Sequence, residues 1–368
     1  MPSAIDLSHM RSALALARRG LGVVWPNPTV GCVLVRDGEV VGRGWTQPGG
    51  RPHGETEALA RAGDKARGAT AYVSLEPCGH WGKTPPCADA LVAAGVARVV
   101  VPIEDPDPRV SGNGIARLKA AGIAVETGLC ADEAREVNAG FLLRLAIGRP
   151  LVTLKLATTL DGRIATAAGE SRWITGEVSR ARAHLMRATH DAVMIGSNTA
   201  IVDDPLLTCR LNGLEDRSPV RIVVDGRLRV PLTHRVVAKA ASAATWFIVR
   251  EGIDGSRRRA FADCGVEVIE VPSTPTGEVD LAQALLELGH RGLTRVLVEG
   301  GGALAAALMA ADLVDRIAWF RAPRVLGGDG RAAVASFGLQ SLAEAPQFER
   351  LSLEAVGDDV LETLRRQA

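Results

Sequence analysis

His53, Cys78 and Cys87 offer one imidazole and two thiols, a donor set that suits zinc and leaves a fourth tetrahedral position for water. Glu55 follows the histidine by two residues, near enough to handle protons for that water without binding the metal. Together they could activate water for attack on a carbon that bears an amino group. Taken singly, a free cysteine is more often a small buried hydrophobe, and a lone histidine a satisfied core residue. Their setting argues for metal. Residues 71–75 read as a short strand ending at Glu76-Pro77, and residues 87–94 as a helix closed by Gly95. With a second helix over 55–62, the donors fall near helix N-termini, where the dipole and free N–H groups favour thiolates.

The order H-x-E…P-C…C is that of zinc deaminases, whose cysteines are usually spaced C-x-x-C; here eight residues separate Cys78 from Cys87. The rest of the first half must build the scaffold. A helix is expected over 8–19 with Ser8 as N-cap, and a hairpin around Asp37-Gly38. Strands are expected at 97–103 and 123–126, and helices at 114–121 and 131–145. This alternation implies a largely parallel sheet with helices on both faces. Ile147-Gly148-Arg149-Pro150 is turn-rich, so two domains are expected, 1–147 and 150–368.

The second half repeats an α/β pattern. Strands are expected at 151–157, 192–195, 220–224, 245–249, 266–271, 295–299 and 316–321, and helices at 177–189, 280–289 and 303–311. Val296–Glu299 runs into Gly300-Gly301-Gly302 and then a helix, a turn whose backbone N–H groups can cradle phosphate. Taken alone, Asp203-Asp204-Pro205 reads as a turn, Arg187 and Arg210 as surface charges, and Trp173 as a packing residue.

Composition excludes several classes. A net charge of +1, from 43 Lys+Arg against 42 Asp+Glu, gives no basic footprint for nucleic acid and no polybasic membrane patch. The apolar run at 301–311 is too short to span a bilayer. The six cysteines are scattered, and the first residues carry no secretory pattern, so the cytoplasm is the expected compartment.

With both halves in view, the chain resembles the bifunctional deaminase–reductases of riboflavin biosynthesis. The matching segments are 25–32 (Trp25-Pro26-Asn27-Pro28-Thr29-Val30-Gly31-Cys32), His53-Gly54-Glu55 and 76–87 in the first half. In the second they are 155–163, 169–175, Asp203-Asp204-Pro205 and Val298-Glu299-Gly300-Gly301. The long cysteine spacing is that family's own, whereas Gly54 stands where alanine is expected. The resemblance implies an α/β fold: a cytidine-deaminase-like three-layer domain, then a dihydrofolate-reductase-like three-layer domain. It implies one zinc held by His53, Cys78 and Cys87, with Glu55 as the catalytic acid–base, and NADPH as the second cofactor. The implied substrate is a diaminopyrimidinone ribosylamine 5′-phosphate, deaminated on the ring and then reduced at the ribosyl carbon. By position, Asn27 and Lys83 correspond to deaminase substrate contacts. Ala157, Trp173, Thr199, Asp203, Gly226, Gly301, Gly302, Ala303, Leu304, Ala305, Ala306 and Ala307 correspond to the cofactor site. Ser171, Arg187, Leu207, Arg210 and Glu299 correspond to contacts with the reductase substrate, and a guanidinium fork at Arg187 or Arg210 would suit its phosphate. Lys155 and Asp161 are expected to line the reductase cleft, with no role assigned. Self-association into a homo-oligomer is also expected. Two other readings stand beside this one: a zinc deaminase fused to a non-catalytic NADP(H)-sensing domain, and a structural zinc protein whose second domain mediates assembly.

Overall fold

A computed structural model describes residues 3–82, 85–108 and 110–367. The chain divides into two compact units between Gly148 and Arg149. In the first, strands β1 (Gly31–Arg36), β2 (Glu39–Trp45), β3 (Thr70–Val73), β4 (Arg98–Val101) and β5 (Ala124–Thr127) form one sheet in the order β2-β1-β3-β4-β5. The pairings β1–β2 and β1–β3 are antiparallel, and only β3–β4 and β4–β5 are parallel. The sheet is therefore mixed rather than largely parallel, because the tight Asp37-Gly38 turn forces β2 back along β1.

Helices α1 (Ala4–Ala17), α2 (Gly54–Ala62), α3 (Cys87–Ala93), α4 (Asn113–Ala120), α5 (Ala131–Val137) and α6 (Ala139–Ile147) complete this unit. Helix α1 starts earlier than Ser8: the Ser3 hydroxyl caps it by accepting from the Asp6 N–H. Its buried face is Met10, Ala13, Leu14 and Ala17, the i, i+3, i+4, i+7 stripe of an amphipathic helix. The single helix expected over 131–145 is broken at Asn138. That side chain turns away to accept from the Thr29 N–H (2.9 Å) and donate to the Thr29 carbonyl (3.1 Å), clamping the segment that carries Asn27.

The second unit is built on nine strands ordered β11-β10-β9-β8-β12-β6-β13-β16-β15. In chain order they are β6 (Leu151–Thr159), β8 (Ala192–Gly196), β9 (Val220–Val224), β10 (Thr245–Arg250), β11 (Glu267–Val271), β12 (Arg295–Glu299), β13 (Arg316–Ala322), β15 (Phe348–Val356) and β16 (Asp359–Arg366). The seven from β11 to β13 are parallel, and β16 and β15 close the sheet as an antiparallel hairpin that the sequence reading did not foresee. A small separate ladder pairs β7 (Arg163–Ala165) with β14 (Arg331–Ala332). The helices are α7 (Glu177–Ala188), α8 (Ser197–Asp203), α9 (Arg235–Ala238), α10 (Gly255–Asp263), α11 (Leu281–His290) and α12 (Gly302–Ala310). Strand β8 is Ala-Val-Met-Ile-Gly with its first four residues buried, the continuous apolar run of a strand covered on both faces. Among the described residues no helix is long and apolar enough to cross a membrane.

Candidate active sites

In the first unit two helices begin at one cavity. His53 is the N-cap residue of α2, and Cys87 is the first residue of α3. The His53 Nδ1 lies 3.2 Å from the Cys87 Sγ and 3.7 Å from the Cys78 Sγ. The three donor atoms sit within 4.8 Å of one another, and among the described residues no fourth His, Cys, Asp or Glu joins them. A tetrahedral zinc with bonds of ~2.3 Å to sulfur and ~2.0 Å to nitrogen separates N and S by about 3.5 Å, so the spacing fits. The Cys87 N–H donates to the Cys78 Sγ at 3.2 Å. The Cys87 thiol, and then His53, hold Cys78 well below the usual thiol range.

Glu55 lies in the first turn of α2, only 2% exposed. Its Oε2 has no hydrogen-bond partner, and burial pushes its carboxyl up to about 7. A buried carboxyl oxygen left unpaired beside three metal donors points to something that belongs there. Gly54 explains the departure from alanine: a Cβ there would come within 2.6 Å of the Val30 carbonyl oxygen, so α2 packs here against the β1 end too closely for a methyl.

Glu76 anchors the loop carrying Cys78. Its carboxylate accepts from the backbone N–H groups of Asp105 (3.1 Å), Gly112 (3.0 Å), Gly114 (2.9 Å) and Ile115 (3.2 Å). The resulting cavity, about 540 Å³, is lined by Asn27, His53, Glu55 and Cys78, and also by Arg51, His80, Asp105, Asp107 and Arg144. Sequence reasoning did not single out those last five, although the Asp-Pro-Asp-Pro run at 105–108 and His80 beside Cys78 carried a signal. Lys83 lies outside the described residues.

In the second unit a cleft opens along the C-terminal ends of the parallel strands, where α/β sheets bind their ligands. It has two lobes of about 530 and 440 Å³ that share Asn198, Thr199, Gly301 and Gly302. Gly226, Ala303, Leu304 and Ala307 line the first lobe; Ala157, Ser171, Trp173, Asp203 and Ala305 line the second. The glycine turn joins them, with φ of 86° at Gly300 and 89° at Gly301, conformations open to glycine. Ala306 faces the core, 5% exposed, and lines neither lobe.

Lys155 lines the second lobe. Its Nζ is 3.9 Å from Glu299, and burial lowers its pKa against the pull of that carboxylate. Glu299 in turn receives the Arg187 fork, at 2.5 Å from Nε and 2.9 Å from Nη2, while the Arg187 Nη1 donates to the Thr208 carbonyl at 3.0 Å. The Arg187 fork is therefore engaged within the protein instead of standing open for a phosphate. Leu207 is buried with φ of 58°, and Arg210 is held through its N–H to His184 Nδ1. These four sequence-predicted residues (Arg187, Leu207, Arg210 and Glu299) line neither lobe. Asp161 accepts from the N–H groups of Leu326 and Gly327 and ties down the loop before β14.

Comparison with known proteins gives the same division. Residues 3–103 match the cytidine and deoxycytidylate deaminase zinc-binding region, and residues 150–361 match the RibD C-terminal domain. The riboflavin biosynthesis protein RibD of Escherichia coli is 45% identical over 96% of this chain and 98% of its own length. The chain belongs to the RibD family of riboflavin-biosynthesis deaminase–reductases. The Aquifex aeolicus RibD is 40% identical over 98% of this chain and 99% of its own. A solved Acinetobacter baumannii RibD structure superposes with a TM-score of 0.88 at 38% identity, covering 99% of each chain. A Thermotoga maritima structure, described as a diaminohydroxyphosphoribosylaminopyrimidine deaminase and 5-amino-6-(5-phosphoribosylamino)uracil reductase, does so at 0.85 with 34% identity, again over 99% of each chain. The cytidine-deaminase-like and reductase-type folds are those of this family.

Proposed function

We propose that the first unit hydrolyses the ring amino group of 2,5-diamino-6-(5-phosphoribosylamino)pyrimidin-4(3H)-one, and that the second reduces the ribosyl group of the product with NADPH. The observation that carries the first step is the unpaired Glu55 oxygen beside the His53–Cys78–Cys87 cluster, in a cavity that also holds Asn27. Bound zinc supplies a water acidified enough to lose its proton near neutral pH. Glu55, its carboxyl raised by burial, takes one proton from that water and gives it to the ring nitrogen, then carries a second, from the added hydroxyl, to the leaving ammonia. Asn27 holds the pyrimidine, and Lys83 is assigned to the same substrate. In the second unit the Gly300–Gly302 turn would hold the phosphates of NADPH, and Ala157, Ser171, Trp173 and Asp203 would line the lobe for its reactive ring, which would supply the hydride. Arg187, through Glu299, and Lys155 support the sugar end of that lobe, with Leu207 and Arg210 assigned to the same substrate.

Glu55→Gln separates the two chemistries. The amide keeps size and polarity but cannot accept a proton, so deamination falls by roughly 10²–10⁴-fold while zinc stays bound. The variant still oxidises NADPH when given the deaminated pyrimidine. Loss of both activities in a folded, zinc-loaded protein would refute the two-site reading. NADPH oxidation by the wild type also tells reductase from sensor.

Self-association belongs to the same proposal. Strand β15 is a sheet edge with Leu351 and Leu353 exposed, which supports a homo-oligomer. The six free cysteines support a cytoplasmic setting, where thiols stay reduced.

A further inference from the structure

We infer that Arg227, Arg229 and Arg250 form a guanidinium corner that holds the 2′-phosphate of NADPH and so selects it over NADH. The inference rests on the reductase reading above. If the glycine turn meets the pyrophosphate and the reactive ring lies beside Ser171, the adenosine half enters the first lobe, beyond Thr199 and Gly301. That lobe is lined by Arg227, Arg229 and Arg250, with Glu278 the acidic side chain among its lining residues.

The local chain explains why two arginines face the same space. After β9 the segment runs Asp225-Gly226-Arg227-Leu228-Arg229. Leu228, with φ of 52°, is fully buried among the core residues of this unit, and its carbonyl accepts from Arg257. With Leu228 driven inward, both neighbours are exposed at the lobe. Arg229 donates from Nη2 to the Ser197 hydroxyl at 2.6 Å, which steers its head toward the lobe shared with α8. Arg250 arrives from the end of β10, its Nη1 3.5 Å from the Gly277 carbonyl.

Asp225 sharpens the argument. An acidic residue at a strand end commonly binds the free ribose 2′-hydroxyl of NAD, while an arginine nearby accommodates the 2′-phosphate of NADP. Here the Asp225 carboxylate is buried, and its Oδ2 accepts from the Val230 N–H at 2.9 Å. It does not line the lobe, and its Oδ1 lies 3.9 Å from the Arg229 Nε, so it steadies that arginine from behind while Arg227, Arg229 and Arg250 line the lobe itself. A 2′-phosphate carries roughly −1.5 to −2 charges near neutral pH and three strong acceptors, which suits such a group.

The test uses the full chain and adenosine 2′,5′-bisphosphate, a probe that carries the phosphate without the reactive ring. By calorimetry the wild type binds it at least tenfold more tightly than 5′-AMP. Arg227→Ser, the variant with no internal hydrogen bond to lose, cuts that preference by on the order of tenfold, and Arg227→Lys restores part of it. In the reductase assay Arg227→Ser lowers the ratio of kcat/KM for NADPH to that for NADH by the same order. Equal wild-type affinity for the two nucleotides, or an unmoved preference in a folded Arg227→Ser protein, would overturn the corner. A wild type that prefers the bisphosphate yet never oxidises NADPH with the deaminated pyrimidine would leave the corner standing and overturn the reductase reading instead.

Discussion

Arg187→Ala tests what the buried pair beneath the reductase cleft contributes. Arg187 and Glu299 meet through two hydrogen bonds of 2.5 and 2.9 Å, with side chains only 14% and 10% exposed. Burial pushes the Glu299 carboxyl up, but the Arg187 guanidinium, aided by Lys155, more than reverses it and holds the group at about 2, against an ordinary 4.5. A displacement of that size corresponds to about 3 kcal/mol of preference for the ionised form. Removing one partner of a buried pair typically costs about 3–5 kcal/mol, because the other charge is left unpaired. Two routes thus agree on a loss of roughly 3 kcal/mol near neutral pH.

The sign with pH follows from the direction of the shift. Glu299 ionises more readily in the folded state, so its contribution is present above its unfolded value of 4.5 and is lost as pH falls from there toward 2. Hydrogen exchange of the β8 and β12 amides at pH 7, read on the intact chain, reports this unit alone. Arg187→Ala speeds exchange of the most protected of these amides on the order of a hundredfold, and the double variant Arg187→Met/Glu299→Gln recovers much of the protection. A change of less than threefold for Arg187→Ala would mean that the pair is not what steadies Glu299 below the glycine turn.

Two further substitutions examine the sites directly. Cys78→Ser and Cys87→Ser each lose most of their zinc on metal analysis, since the cluster offers three protein donors and none in reserve; full retention in both would end the assignment. Gly301→Val raises the KM for NADPH at least tenfold, because residue 301 sits at φ of 89° and a Cβ there would lie 3.1 Å from the Thr199 Oγ1. An unchanged KM in folded protein would move the cofactor phosphates elsewhere.

What could be read without coordinates was whatever short segments of chain decide. The Asp37-Gly38 hairpin follows from two left-handed residues, and the parallel strands of the second unit from their apolar runs. The ligands follow from where helices begin, because a histidine before α2 and a cysteine opening α3 are placed by their own backbone. What was hidden depends on partners distant in sequence. The break between α5 and α6 exists because Asn138 is claimed by Thr29, 109 positions away, and no helix propensity records that. The C-terminal hairpin was overlooked although Gly357, at φ of 63°, marks its turn between two alternating runs.

Arg187 shows the same limit at the level of function. Its guanidinium was expected to stand open for a phosphate, but a carboxylate 112 positions away claims it. The corner at 227–250 shows the converse, for these arginines look like ordinary surface charges until a buried Leu228 and an inward Asp225 reveal which way the loop must face. In both cases the residue type supplied the chemistry and the packing of its neighbours decided the direction. A site read from motif alone is therefore firmest where the motif's own backbone places the group, as at His53 and Cys87. It is weakest for long flexible cations, whose positively charged ends go wherever the fold has left an acceptor or an unfilled lobe.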